Sequence, residues 1–207
     1  MNALITGASS GIGRDIAIEL ASRGYNVILV ARRKERLVAL RKKLRHEYGV
    51  KVAIIVADLS KPDECFRLHE RVKTANIGIL VNNAGFGIFG AFEDTDINEE
   101  LGMIDLNIKA VHILTKLFLR DFTRQNHGYI LNVASSAGFF SGPMLSGYYA
   151  SKNYVLRLTE AINEELKSRK SNVYVGALCP GPVNTEFGER AGVMFAVSGL
   201  SSEFVAK

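Results

Sequence analysis

The stretch Leu4-Ile5-Thr6-Gly7-Ala8-Ser9-Ser10-Gly11-Ile12-Gly13 constrains this chain more than any other. Ala3, Leu4 and Ile5 have the composition of a short buried strand, and Ile16, Ala17 and Leu20 recur at helical spacing just beyond it. Three glycines between them permit a tight turn with close backbone approach. Strand, glycine turn and helix together are the layout of a phosphate site. The first-turn amides of such a helix lack intrahelical partners and lie at the positive end of its dipole, so an anion docks there without a charged side chain. The same residues also fit Gly-x-Ser-x-Gly, with Ser9 as the nucleophile of a hydrolase elbow. That alternative needs oxyanion amides from an earlier strand-to-helix loop, and the few residues ahead of the turn leave no room for one. A phosphate cradle is therefore expected.

Composition narrows the class. At 207 residues, 47% apolar and 23% charged, the chain suits one domain (1–207) with a substantial core, and disordered and fibrous classes are excluded. No apolar run approaches the roughly 18 residues needed to span a bilayer, so no membrane association is expected. A strand opening at residue 2 or 3 leaves no space for a signal peptide, and a cytoplasmic location is expected. Cys65 and Cys179 are far apart with no CxxC, which favours free thiols over a disulfide framework or a metal site. His46, His69, His112 and His127 stand in separate segments and are assigned to surface or packing.

Short Val/Ile/Leu-rich runs at 27–31, 52–57, 79–82, 129–134 and 173–178 have the pattern of strands buried on both faces. Helical stripes separate them: Leu37, Leu40, Leu44; then Leu101, Ile104, Ile108, Val111, Thr115, Phe118, Phe122; then Val155, Leu158, Ile162, Leu166. Strands alternating with helices predict an α/β fold, a single doubly wound parallel sheet of the Rossmann type with helices on both faces. Turns at 6–13, 82–85, 135–138 and 179–185 all follow strands and should converge on the ligand-binding edge. Residues 181–207 lose the pattern and are expected to form a substrate lid, with Met194, Phe195, Val197 and Leu200 as an apolar wall.

Tyr148 and Lys152 are four apart and share one helical face. A phenol near its reference pKa of about 10 is a poor base at pH 7, and a neighbouring ammonium is one means of lowering it. Tyr149, three before Lys152, is geometrically eligible as well, and Ser135 or Ser136 could simply cap a turn.

Together these residues carry a resemblance. Thr6-Gly7-x-x-x-Gly11-x-Gly13, Asp58-Leu59, Asn82-Asn83-Ala84-Gly85, Asn107, Ser135, Tyr148-x-x-x-Lys152 and Pro180-Gly181 make the chain similar to the short-chain dehydrogenase/reductase family, in family order from the first strand to residue 185. The resemblance implies an oxidoreductase that moves a hydride between a nicotinamide and a small-molecule carbonyl or alcohol substrate. Tyr148 would be its acid or base, being the tyrosine four before the lysine. Ser135, 13 residues ahead of Tyr148, would bind the substrate oxygen. Lys152 would lower the tyrosine pKa and hold the nicotinamide ribose. Asn107, off the apolar stripe and otherwise a solvated polar position, would mark a helix distortion in the proton relay.

The cofactor would contact Gly7, Ser9, Ser10, Gly11, Ile12 and Gly13 at the pyrophosphate, Asp58 and Leu59 at the adenine, and Asn83, Ala84 and Gly85 on the adenine ribose side. Pro180, Gly181, Val183 and Thr185 would complete the contacts, while Asn82 would brace backbone. NAD-dependent members commonly end the second strand with an acidic residue; here Ala31 stands there, followed by Arg32 and Arg33. An arginine on a 2′-phosphate is worth about 1.5 to 3 kcal/mol, so roughly a tenfold to hundredfold preference for NADP(H) over NAD(H) is expected.

Nine Lys or Arg lie between Arg32 and Lys51 against Glu35 and Glu47. The remainder of that cluster, Lys34, Arg36, Arg41, Lys42, Lys43 and Arg45, is expected on a solvated helix face, with no nucleic-acid partner. A homodimer or homotetramer through the helices near 98–122 and 148–168 follows from the resemblance. Family chains continue with a further helix and strand where this sequence stops at Lys207. Without that segment, part of the substrate wall and one subunit contact would be missing. A non-catalytic NADP(H)-binding sensor or scaffold is the alternative, though such a role has no use for the paired tyrosine and lysine.

Overall fold

A computed structural model describes residues 1–193 and 198–207. Six strands, β1 (Asn2–Thr6), β2 (Asn26–Ala31), β3 (Val52–Val56), β4 (Ile77–Asn82), β5 (Gly128–Val133) and β6 (Val173–Leu178), form one sheet in the order β3-β2-β1-β4-β5-β6. All five pairings are parallel, with Leu4 opposite Ile28 on one side and Leu80 on the other. Parallel neighbours need crossovers, and here helices cover both faces. Ile16, Ala17, Leu37, Leu40 and Leu44, from α1 (Gly11–Ser22) and α2 (Lys34–Tyr48), pack on one face. Leu68 from α3 (Pro62–Arg71), Leu114, Phe118 and Phe122 from the helix after β4, and Leu166 fill the other. The order in which strands are added reverses between β1 and β4, which opens a crevice beyond their carboxyl ends.

The long helix expected after β4 is three segments: α4 (Ile97–Ile104), a π-helical turn (Asp105–Ala110) and α5 (Val111–Gln125). Asp96 opens it, its carboxylate accepting from the amides of Asn98 at 2.7 Å and Glu99 at 3.1 Å. Leu101 is half exposed and does not belong to the core stripe. The π turn widens the helix locally and carries Asn107 inward, where 1% of it is exposed; the solvated position is thus corrected and the distortion is present.

Beyond β6, a parallel pair of short strands, β7 (Val183–Asn184) and β8 (Leu200–Ser201), brackets α7 (Phe187–Ala191). The last helix, α8 (Ser202–Ala206), lies against α1, and the Ser202 hydroxyl donates to the buried carboxylate of Asp15. Residues 202–206 are therefore a packed helix rather than part of a lid, and Leu200 pairs in β8 with its side chain half exposed. Met194, Phe195 and Val197 lie outside the described residues.

Candidate active site

At the crevice a cleft of about 850 Å³ is lined by residues from the ends of all six sheet strands or the turns that follow them. Its floor begins at the glycine turn. Gly7 has φ +66°, a conformation only glycine adopts freely, and a Cβ there would stand 2.9 Å from the Ala84 Cα. A Cβ on Gly13 would lie 2.6 Å from the Gly7 carbonyl oxygen and 2.3 Å from Asn83 Nδ2, so the helix sits directly on the turn after β4. Thr6 Oγ1 holds those turns together, accepting from the amides of Asn83 at 2.9 Å and Ala84 at 3.1 Å. Asn83 spends its side-chain amide on the carbonyl of Thr6 at 3.0 Å.

Nearly all the residues singled out in the sequence line this cleft: Gly7, Ser9, Ser10, Gly11, Ile12, Arg32, Arg33, Asp58, Leu59, Asn83, Ala84, Gly85, Ser135, Tyr148, Lys152, Pro180, Gly181, Val183 and Thr185. Gly13 and Asn107 do not line it. Both support it from behind, Gly13 by close packing and Asn107 by hydrogen bonding. Asn107 Nδ2 donates to the Phe86 carbonyl at 2.8 Å and Ser151 Oγ at 3.1 Å, while its Oδ1 accepts from the Phe86 amide at 3.1 Å. Asn82 enters a buried ladder with Thr115 at 3.1 Å and Asn132 at 2.9 Å.

α6 (Ser146–Ser168) presents Tyr148 and Lys152 to one side of the cleft. Tyr148 meets the side chain of Ser135, which also caps the 3₁₀ turn Ser136–Phe139 by accepting from the Ala137 amide at 3.1 Å. Tyr149 borders the cleft as well, but its ring packs on Gly142, where an added Cβ would come within 2.4 Å of it. The Tyr148 phenol is raised above the usual tyrosine range by burial, with the Ser135 hydrogen bond pulling the other way. Burial also lowers the Lys152 ammonium to about 8. Lys152 Nζ donates to the Val133 carbonyl at 2.8 Å and stands 5.8 Å from the Tyr148 ring centre.

At the other end of the cleft, Asp58 accepts from Ser60 Oγ at 2.8 Å. Arg33 reaches back over the glycine turn, donating through Nη2 to Ser10 Oγ at 2.7 Å and through Nε to Ser9 Oγ at 3.2 Å. Arg36 joins it at the cleft while remaining on the exposed helix face expected for it. Arg45, also exposed on that helix, donates to the Val52 carbonyl at 3.0 Å. Sequence reasoning also passed over Phe86, Glu186, Phe187 and Arg190, which line the cleft; the Arg190 guanidinium lies 4.2 Å from the Phe86 ring centre. None of the four occurs in a local pattern that marks it. No histidine lines the cleft, so Ser9 has no base beside it and the hydrolase alternative has no support.

A close-packed glycine turn between strand and helix, an arginine pair at the end of β2 and a serine, a tyrosine and a lysine lining one cleft on a parallel sheet have the layout of a dinucleotide-binding fold. Residues 1–193 match the family model for the short chain dehydrogenase, and the chain belongs to that family. It is 36% identical over 185 residues to human 17-beta-hydroxysteroid dehydrogenase type 3, covering 88% of this chain and 59% of that enzyme. To the very-long-chain 3-oxoacyl-CoA reductase of Anas platyrhynchos it is 35% identical over 189 residues, covering 89% and 60%. The chain thus spans less than two thirds of the length of these relatives. Among solved structures, a short-chain dehydrogenase from Sphingobium yanoikuyae in complex with NADPH superposes with a TM-score of 0.93 at 37% identity, covering 99% of this chain and 81% of that one. One from Burkholderia phymatum in complex with NAD superposes at 0.86 and 29%, covering 99% and 75%. Among the described residues no helix is long and apolar enough to cross a membrane, and no group of three or more His, Cys, Asp or Glu could hold a metal ion.

Proposed function

We propose that this chain is an NADP(H)-dependent oxidoreductase that interconverts a carbonyl and an alcohol, with Ser135, Tyr148 and Lys152 at the reacting end of the cleft. The observation that carries this reading is that Ser135, Tyr148 and Lys152 line one cleft with the glycine turn, Lys152 standing one helical turn from Tyr148. The residues suit a dinucleotide: the glycine turn has no room for side chains, and the first-turn amides of α1, two serine hydroxyls and Arg33 form a donor set for phosphates. When bound, the nicotinamide supplies or accepts the hydride.

The chain's own groups handle the oxygen and its proton. Ser135 donates a hydrogen bond to the substrate oxygen and aligns it with the phenol. Tyr148, whose phenol burial holds in the protonated form, donates its proton to that oxygen as it becomes an alkoxide during reduction and takes it back in the reverse reaction. Lys152 fixes its ammonium on the Val133 carbonyl and places a positive charge where the phenolate left after transfer needs it. Asn107 holds the turn around Phe86 and so keeps the cleft wall in register. Arg33 and Arg36 favour the 2′-phosphate of NADP(H), since a carboxylate that would repel it is absent from the end of β2.

Phe86, Leu145 and Phe187 line the reacting end and favour an apolar carbonyl. The test is NADPH and NADH oxidation against cyclic ketones, aldehydes and 3-oxoacyl thioesters, with Tyr148→Phe and Tyr149→Phe in parallel. Turnover is expected with NADPH, and Tyr148→Phe should lose at least about 100-fold in kcat, the scale of a lost general acid. Turnover that survives Tyr148→Phe and dies with Tyr149→Phe would overturn the site. NADPH binding without turnover across the panel would favour a sensor or scaffold.

A further inference from the structure

Arg33 and Arg36 already face an anion from their own chain. Glu186, from the segment that follows β6, lies 150 residues from Arg36 in sequence and accepts from both guanidinium groups, at 2.7 Å from Arg33 Nη1. The other arm of Arg33 grips Ser9 and Ser10 at the glycine turn. Each nitrogen of the Arg33 guanidinium is therefore engaged, Nε and Nη2 by hydroxyls and Nη1 by a carboxylate. Thr185, next to Glu186, stands over Gly11, with its methyl group 3.0 Å from where a Cβ would be. The segment that carries Glu186 thus lies over the glycine turn, and its carboxylate sits where the two arginines converge.

We infer that Glu186 is a specificity-determining residue that competes with the cofactor's 2′-phosphate for Arg33 and Arg36 and so narrows the preference for NADP(H) over NAD(H). This rests on the NADP(H) reading above. A 2′-phosphate needs the guanidinium edges that Glu186 occupies, whereas a 2′-hydroxyl carries no charge to contest them. The carboxylate is half exposed, so it swings into solvent when displaced and the competition is modest. Arg33 and Arg36 hold its carboxyl down at about 2, so the competing anion is present at every pH at which the protein works. Exposed pairs of this kind are screened by salt, and the effect should fade as ionic strength rises.

The probes are 2′,5′-ADP and 5′-AMP, which differ only in the 2′-phosphate, titrated calorimetrically into the wild-type chain and into Glu186→Gln and Glu186→Ala at low and high salt. Both variants should bind 2′,5′-ADP about threefold to tenfold tighter than wild type at low salt, with the gain shrinking toward 0.5 M salt, while 5′-AMP moves less than about twofold. A wild-type protein that prefers 2′,5′-ADP, with variants that bind it no tighter or more weakly, overturns the inference and leaves the cofactor reading intact. If neither the wild type nor the variants distinguish the two nucleotides, the cofactor reading falls and takes the inference with it.

Discussion

Replacing Asn107 by Asp keeps the shape of the side chain and reverses one hydrogen-bonding function. In the wild type the Nδ2 group serves two acceptors, the Phe86 carbonyl and Ser151 Oγ, and Oδ1 serves one donor, the Phe86 amide. An ionised carboxylate has no proton for either acceptor and would be buried where only 1% of the residue is exposed. The introduced carboxyl therefore takes up a proton, and its pKa in the folded chain rises above the unfolded value of about 3.9. Even protonated it serves one acceptor where the amide served two, a loss of about 1 to 1.5 kcal/mol at any pH. The remainder depends on pH. An acid with a raised folded pKa is bound to its proton in the native state and free of it in the unfolded state, so folding is penalised increasingly as pH rises through that window. The slope approaches about 1.4 kcal/mol per unit, and a folded pKa near 7 would make the total about 5 kcal/mol at pH 7. Urea unfolding of wild type and Asn107→Asp at half-unit steps from pH 5 to pH 8 measures it. A stability gap that is flat across this range, or below about 1 kcal/mol at pH 7, would refute the buried three-bond arrangement.

Gly13→Ala should cost about 2 kcal/mol or more of stability and weaken NADPH binding at least about tenfold, since its methyl group meets the Gly7 carbonyl and Asn83; melting temperature and calorimetry check both. Lys152→Met separates another burial effect. The Lys152 ammonium has a folded value of about 8 against an ordinary 10.5, so the unfolded chain binds the extra proton between these values and the wild type gains stability as pH rises. Relative to Lys152→Met, wild type should gain up to about 3 kcal/mol from pH 7.5 to pH 10.5 in denaturant titrations, and a constant difference would contradict the burial.

What was legible from residues alone was whatever repeats over a short distance. Buried parallel strands are continuous apolar runs, so 173–178 coincides with β6, and the Leu37, Leu40 and Leu44 stripe packs as its period requires. Glycine spacing announced the cradle because a missing Cβ has one local consequence, close approach. The four-residue step from Tyr148 to Lys152 is likewise a property of one helix. Period could not choose between Tyr148 and Tyr149. The resemblance made that choice, and the structure adds that the Tyr149 ring packs against Gly142 while Ser135 reaches the cleft from the end of β5.

Contacts between distant segments left no such trace. Arg36 sits on a charged, exposed helix face, and nothing near it in the sequence announces Glu186 as its partner; Asn107 looks solvated until a π turn rotates it toward Phe86. The end of the chain shows the same limit, since nothing periodic in 202–206 announces a helix whose serine meets Asp15. Backbone propensity and hydrophobic period act within a few residues, so they write the strands, the helices and the glycine turn directly into the order of amino acids. Which charge meets which, and which polar group is buried, depends on how the finished layers stack, and that information exists only once the sheet has brought its six strand ends to one edge.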